Sequence, residues 1–236
     1  MRQRIIVHAG FAKCGSASIR NALLQNFGKL QKQNVFVFDK DLRIARKAAD
    51  LVGTPIWALE EARKKSENLT QRLSDEIAAV ARRRTDHLAI LSAENLATPG
   101  MAQLFAELDS QFEVRVIFYL RPQLQWIPSA WKQWGLKKGV PIGDFVSQCI
   151  KAHRPSFRLG IDIWKSALPA ACVHVRFLIP ELLRGRILLK ISSTCWDCRK
   201  TSTTLKMSHE IPAWTFQSCT CSPRIRIFFL EFMTTV

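Results

Sequence analysis

The chain of 236 residues carries 35 Lys and Arg against 19 Asp and Glu, a formal net charge of +16, and 47% of its residues are hydrophobic. That length and apolar content suit one domain able to bury a core without disulfides or metals, and no run approaches the ~18 apolar residues of a membrane span. The net charge invites a nucleic-acid reading, but the longest basic run is Arg82-Arg83-Arg84 and no nucleic-acid fold motif is present, so nucleic acid is not the expected partner.

In chain order, Met1-Arg2-Gln3-Arg4 leads at once into an apolar strand at residues 4 to 8, so neither a signal peptide nor a membrane anchor is expected and the expected location is cytoplasmic. Gly10-Phe11-Ala12-Lys13-Cys14-Gly15-Ser16-Ala17-Ser18 follows, and then Ile19, Leu23, Leu24 and Phe27 fall at the spacing of a helix face. Strand, glycine loop and helix together aim backbone N–H groups and the positive helix end at an anion, so a phosphate or sulfate is the expected guest. The glycines match the nucleotide loop G-x-x-x-x-G-K-S/T, yet the lysine lies inside the loop at Lys13, and Ser16 and Ala17 fill the places of the lysine and of the hydroxyl that holds Mg²⁺.

Further strands are expected at residues 35 to 38, 88 to 92, 114 to 120 and 172 to 177, with helices between them. Trp57 to Arg84, rich in Ala, Glu, Lys and Arg with acid and base three or four apart, predicts one or two exposed helices whose charges are simply solvated. Alternating strands and helices predict an α/β fold, a doubly wound and mostly parallel sheet flanked by helices, with ligands at the carboxyl ends of its strands. Glu94 is expected just past the 88 to 92 strand, where a carboxylate can serve as a base or complement a helix N-terminus. His8 is expected at the end of the first strand beside the loop, and His87 at the opposite edge of the sheet. Arg121 leaves the 114 to 120 strand, and Ser129 follows eight residues later on the next helix. A guanidinium fork and a hydroxyl donor suit a terminal phosphate monoester.

Lys13, Gly15, Ser16 and Ser18 resemble the 5′-phosphosulfate loop, Pro-Lys-Ser/Thr-Gly-Ser/Thr-Ser/Thr, of the sulfotransferases that use 3′-phosphoadenosine 5′-phosphosulfate (PAPS). Ala12, Cys14 and Ala17 depart from it. Arg121 and Ser129 are similar to the 3′-phosphate motif of the same family, and the resemblance covers residues 1 to about 184. It implies a P-loop-like sulfotransferase architecture and a transferase that moves a sulfuryl group from PAPS to an acceptor hydroxyl, on a carbohydrate or another small-molecule alcohol, with no metal. It assigns nucleotide binding to Gly10, Ala12, Lys13, Cys14, Gly15, Ser16, Ala17, Ser18, Arg121 and Ser129, and the catalytic cation to Lys13. The base is Glu94, as in carbohydrate-type relatives, with His8 as its competitor. No membrane partner is implied. Two other readings stay open: a catalytically dead nucleotide-binding remnant, and a P-loop kinase or nucleotidase.

Past Gly185 the character changes. Residues 185 to 236 hold Cys195, Cys198, Cys219 and Cys221, fourteen Ser or Thr and three acids, without a convincing amphipathic helix. They read as an irregular tail, an aberrant or frame-shifted end to a domain spanning 1 to 184. A zinc site built from Cys195-x-x-Cys198 and Cys219-x-Cys221, or an irregular substrate-binding extension, are the alternatives.

Overall fold

Strand β1, Arg4–Gly10, is apolar along nearly its whole length because both of its faces are covered, which is the mark of a central strand in a parallel sheet. In the computed structural model, which describes residues 3–81 and 87–178, it is followed by α1 (Ser16–Gln25), α2 (Phe27–Lys32), β2 (Val35–Val37), α3 (Ile56–Lys64) and α4 (Thr70–Ala81). Then come β3 (Leu88–Glu94), the single turn α5 (Leu108–Gln111), β4 (Glu113–Leu120), α6 (Gln123–Ala130), α7 (Ile142–Lys151), α8 (Phe157–Ala167) and β5 (Cys172–Phe177). The chain divides into two units, residues 1–182 and 183–236. The expectations for Arg82-Arg83-Arg84 and for the tail at 185–236 lie outside the described residues.

The five strands are all parallel, in the order β2-β3-β1-β4-β5. Ile5, Val7 and Ala9 stand in register with Ala89, Leu91 and Ala93 on β3, while Val114 and Val116 on β4 continue the same rows. These residues form one face of the sheet and the centre of the main core, packed with Leu59, Leu73, Ile77, Phe105 and Trp164. Ile6 and Ile90 point the other way. They are buried outside that cluster, as are Ile19, Leu23, Phe27 and Leu30 from α1 and α2. Connections from β1 lead toward one edge of the sheet and those from β3 and β4 toward the other, and right-handed crossovers then put helices on both faces.

All five expected strands are present; β1 reaches Gly10 and β3 reaches Glu94, each two residues further than expected, while β4 begins one residue early at Glu113 and β2 ends one early at Val37. Charge pairs predict solvated helices between Trp57 and Arg84, whereas the two helices there turn an apolar face inward, burying Leu59 and Ala62 from α3 and Leu73 and Ile77 from α4. The expected pairs, Glu60 with Arg63 and Glu61 with Lys65, lie on the outer side of α3 and at its end.

Candidate functional site

The connection leaving β1 and the one leaving its neighbour β4 run to opposite edges of the sheet, so the switch point at which such sheets open a ligand crevice lies between their carboxyl ends. The glycine loop fills the β1 side of that crevice. At Gly10 a Cβ would stand 2.5 Å from the Ser16 hydroxyl and 2.6 Å from the Ala93 carbonyl, so the residue has to be glycine for loop, helix and β3 to meet. The chain then turns through Phe11 to Cys14, closed by the Cys14 N–H on the Phe11 carbonyl at 3.2 Å, with Lys13 at φ 64 in the turn's third place. That φ is the one a type II turn demands, and Lys13 adopts it without being glycine.

Gly15, at φ 85, caps α1, and Leu178 packs where its Cβ would be. Gly15 has no side chain with which to cap the N-terminus of α1, and the first turn of α1 holds no acidic residue. The first N–H groups of a helix have no partner within it and carry its positive dipole end, a setting that suits an anion. The Ser16 hydroxyl beside it is buried and has no hydrogen-bond partner among the described residues. An orphaned buried donor of this kind fits a ligand oxygen. Ala17 and Ser18 lie exposed on the same turn.

Two side chains from the far side of the crevice hold the loop. The Trp126 indole in α6 donates to the Ala12 carbonyl at 2.9 Å. Lys13 Nζ donates to Gln133 Oε1 at 2.6 Å, from the π-helical turn Trp131–Gly135 that continues α6. Neither contact is foreseeable from local sequence.

The ends of β3 and β4 converge on Cys14. Its thiol is buried, and burial pushes it up to about 11, although the Arg121 backbone N–H, which it accepts, and the Arg121 guanidinium pull the other way. The Glu94 carboxylate nearby adds to the rise. Cys14 is therefore a packed, protonated thiol that ties the loop to β4, not a nucleophile. Glu94 is the last residue of β3, in register with Gly10, and is half-buried. Arg121, the first residue past β4, is half-buried too. Ser129 sits on α6, half-buried, and among the described residues no hydrogen bond joins it to Arg121 or to the loop.

His8 is not at the end of its strand, because β1 continues for two more residues. It is buried between strands, with Nδ1 2.8 Å from the Ser92 hydroxyl and its ring edge-on to Tyr119. Burial lowers it to about 4, so it is neutral at physiological pH, and Nε2 has no partner among the described residues. His87 precedes β3 at the amino end of the sheet, as expected, against Phe36. Among the described residues no group of three or more His, Cys, Asp or Glu is placed to hold a metal ion.

The fold and this edge define an α/β protein whose glycine loop opens a helix at the switch point of a parallel sheet. No protein-family model matches the chain, and no curated protein matches it.

Proposed function

We propose that this chain is a P-loop-like sulfotransferase that moves a sulfuryl group from PAPS to an acceptor hydroxyl in the cytoplasm. The observation that carries the reading is the uncapped N-terminus of α1 with its orphaned Ser16 hydroxyl, set beside Lys13 and at the same edge of the sheet as Arg121 and Glu94.

The residues present fit such a donor. Its 5′-phosphosulfate end suits the N–H groups of Ser16, Ala17 and Ser18 and the Ser16 hydroxyl, and its 3′-phosphate suits the Arg121 fork, with Ser129 as a further donor. When bound, PAPS supplies the sulfuryl group and a phosphate leaving group. Lys13, exchanging Gln133 for the ligand, holds positive charge where the leaving group's charge develops. Glu94 takes the acceptor's proton. It is favoured over His8 because it stands at the rim of the crevice, whereas a buried imidazole that protonates only near pH 4 is a poor acceptor at neutral pH. The acceptor is a carbohydrate or another small-molecule alcohol.

Incubation with PAPS labelled in its sulfuryl group, with a panel of glycans and simple alcohols in EDTA, tests the reading. Label transferred to an acceptor hydroxyl is the expected result. Mg²⁺-dependent ATP hydrolysis without sulfuryl transfer would favour the kinase or nucleotidase reading, and saturable nucleotide binding without turnover the inactive remnant.

A further inference from the structure

The segment from Trp131 to Arg154 reaches the candidate site through Gln133 and the interior through Cys149, and the rest of it presents aliphatic side chains to the surface. On α7, Ile142, Phe145, Val146, Cys149 and Ile150 spread over about 140° of the helix circumference at ~100° per residue. Only one side of that arc is covered: Cys149 is buried and the Phe145 ring packs against Gly135. On the other side Ile142 is 46% exposed and Ile150 68%. Leu136, 54% exposed, precedes a turn that folds back toward α7, held by the Val140 N–H on the Gly135 carbonyl and by the Trp131 indole on the Val140 carbonyl.

The stretch that carries these aliphatic side chains is also cationic. Lys132, Lys137, Lys138, Lys151 and Arg154 are exposed against a single acid, Asp144, in the same stretch. Among the described residues none of the five is ion-paired with a carboxylate.

We propose that this face binds the surface of an anionic lipid membrane peripherally, with Leu136, Ile142 and Ile150 entering the interface and the lysines meeting the headgroups. Charge selects this occupant. A second copy would set the same cations against one another, and a nucleic acid or acidic glycan would satisfy the lysines but leave three aliphatic side chains in water. Among the described residues no helix is long and apolar enough to cross a membrane, which bears on spanning and not on a surface contact. The proposal goes beyond sulfuryl transfer and stands or falls separately. It nonetheless concerns the same neighbourhood, since Gln133, the partner of Lys13, belongs to this segment.

The test is cosedimentation of the full-length chain with vesicles of phosphatidylcholine alone and of phosphatidylcholine mixed with phosphatidylserine. Binding to the mixed vesicles is expected to be about tenfold or more the stronger, and to weaken as salt is added. Lys137→Ala/Lys138→Ala should lower it about tenfold or more. Ile142→Ser/Ile150→Ser should lower it while the remaining binding stays salt-sensitive, and the four side chains changed are all exposed, so an unchanged unfolding midpoint certifies each variant. No vesicle binding, equal binding to both vesicles, or binding unaffected by either double variant would overturn the proposal. So would a wild-type dimer that Ile142→Ser/Ile150→Ser dissociates in sedimentation velocity, or retention on heparin without vesicle binding.

Discussion

His8 reaches pH 7 as a neutral ring because burial between β1, β3 and β4 holds it at about 4, against ~6.5 in an unfolded chain. Between those values the unfolded chain binds more protons than the folded one, so stability is complete above pH ~6.5 and falls as the pH drops toward 4. For one fully buried ring the loss is about 3 kcal/mol at most. His174, also lowered to about 4 by burial with Arg115 and Arg176 nearby, adds to it with the same sign. Urea unfolding at a series of pH values should show this slope, and His8→Gln should make it shallower without abolishing it. An unchanged slope in His8→Gln would contradict the assignment. Gly10 is governed by space instead. A methyl there meets the Ala93 carbonyl as well as Ser16, and the first is backbone that cannot swing away. Gly10→Ala should cost about 1–3 kcal/mol of stability by denaturant unfolding and displace the Ser16 hydroxyl from the loop.

At the scale of elements, α6 and its π-helical continuation fix the loop that β1 and α1 form. Trp126→Phe keeps most of the ring and removes the donor to Ala12, so it should lower the affinity for adenosine 3′,5′-bisphosphate about three- to tenfold in a calorimetric titration. An unaltered affinity would show that the loop holds its shape without α6. The glycine loop and all five strands are legible in the sequence, because the central strands, buried on both faces, are continuous apolar runs, and the tight turn out of β1 leaves room only for glycine at Gly10. Ala9 and Gly10, and Ala93 and Glu94, are not legible as strand. Backbone pairing carries β1 and β3 past the point where large side chains stop. The inward faces of α3 and α4 are hidden in the same way, since charge pairs are local signals while the burial of Leu59, Leu73 and Ile77 depends on distant partners. Trp126 and Gln133 lie 114 and 120 residues from the loop positions they hold, beyond any spacing rule.

For the whole molecule, the strand order decides which residues can cooperate. Placing β1 between β3 and β4 gathers the loop, Glu94 and Arg121 at one edge although they are spread over more than a hundred residues of chain. Ala17 stands where a triphosphatase needs its metal-binding hydroxyl, so EDTA should leave sulfuryl transfer intact, and a strict Mg²⁺ requirement would point to the kinase reading. The measurement that bears most directly on the proposed function is calorimetric titration of the wild type, Lys13→Ala and Arg121→Ala with adenosine 3′,5′-bisphosphate. One nucleotide should bind per chain, Arg121→Ala should weaken it by about 1.5–3 kcal/mol, and Lys13→Ala should reduce affinity less than it reduces turnover. No binding by the wild type, or an unchanged affinity in Arg121→Ala, would contradict the assignment of this edge to PAPS.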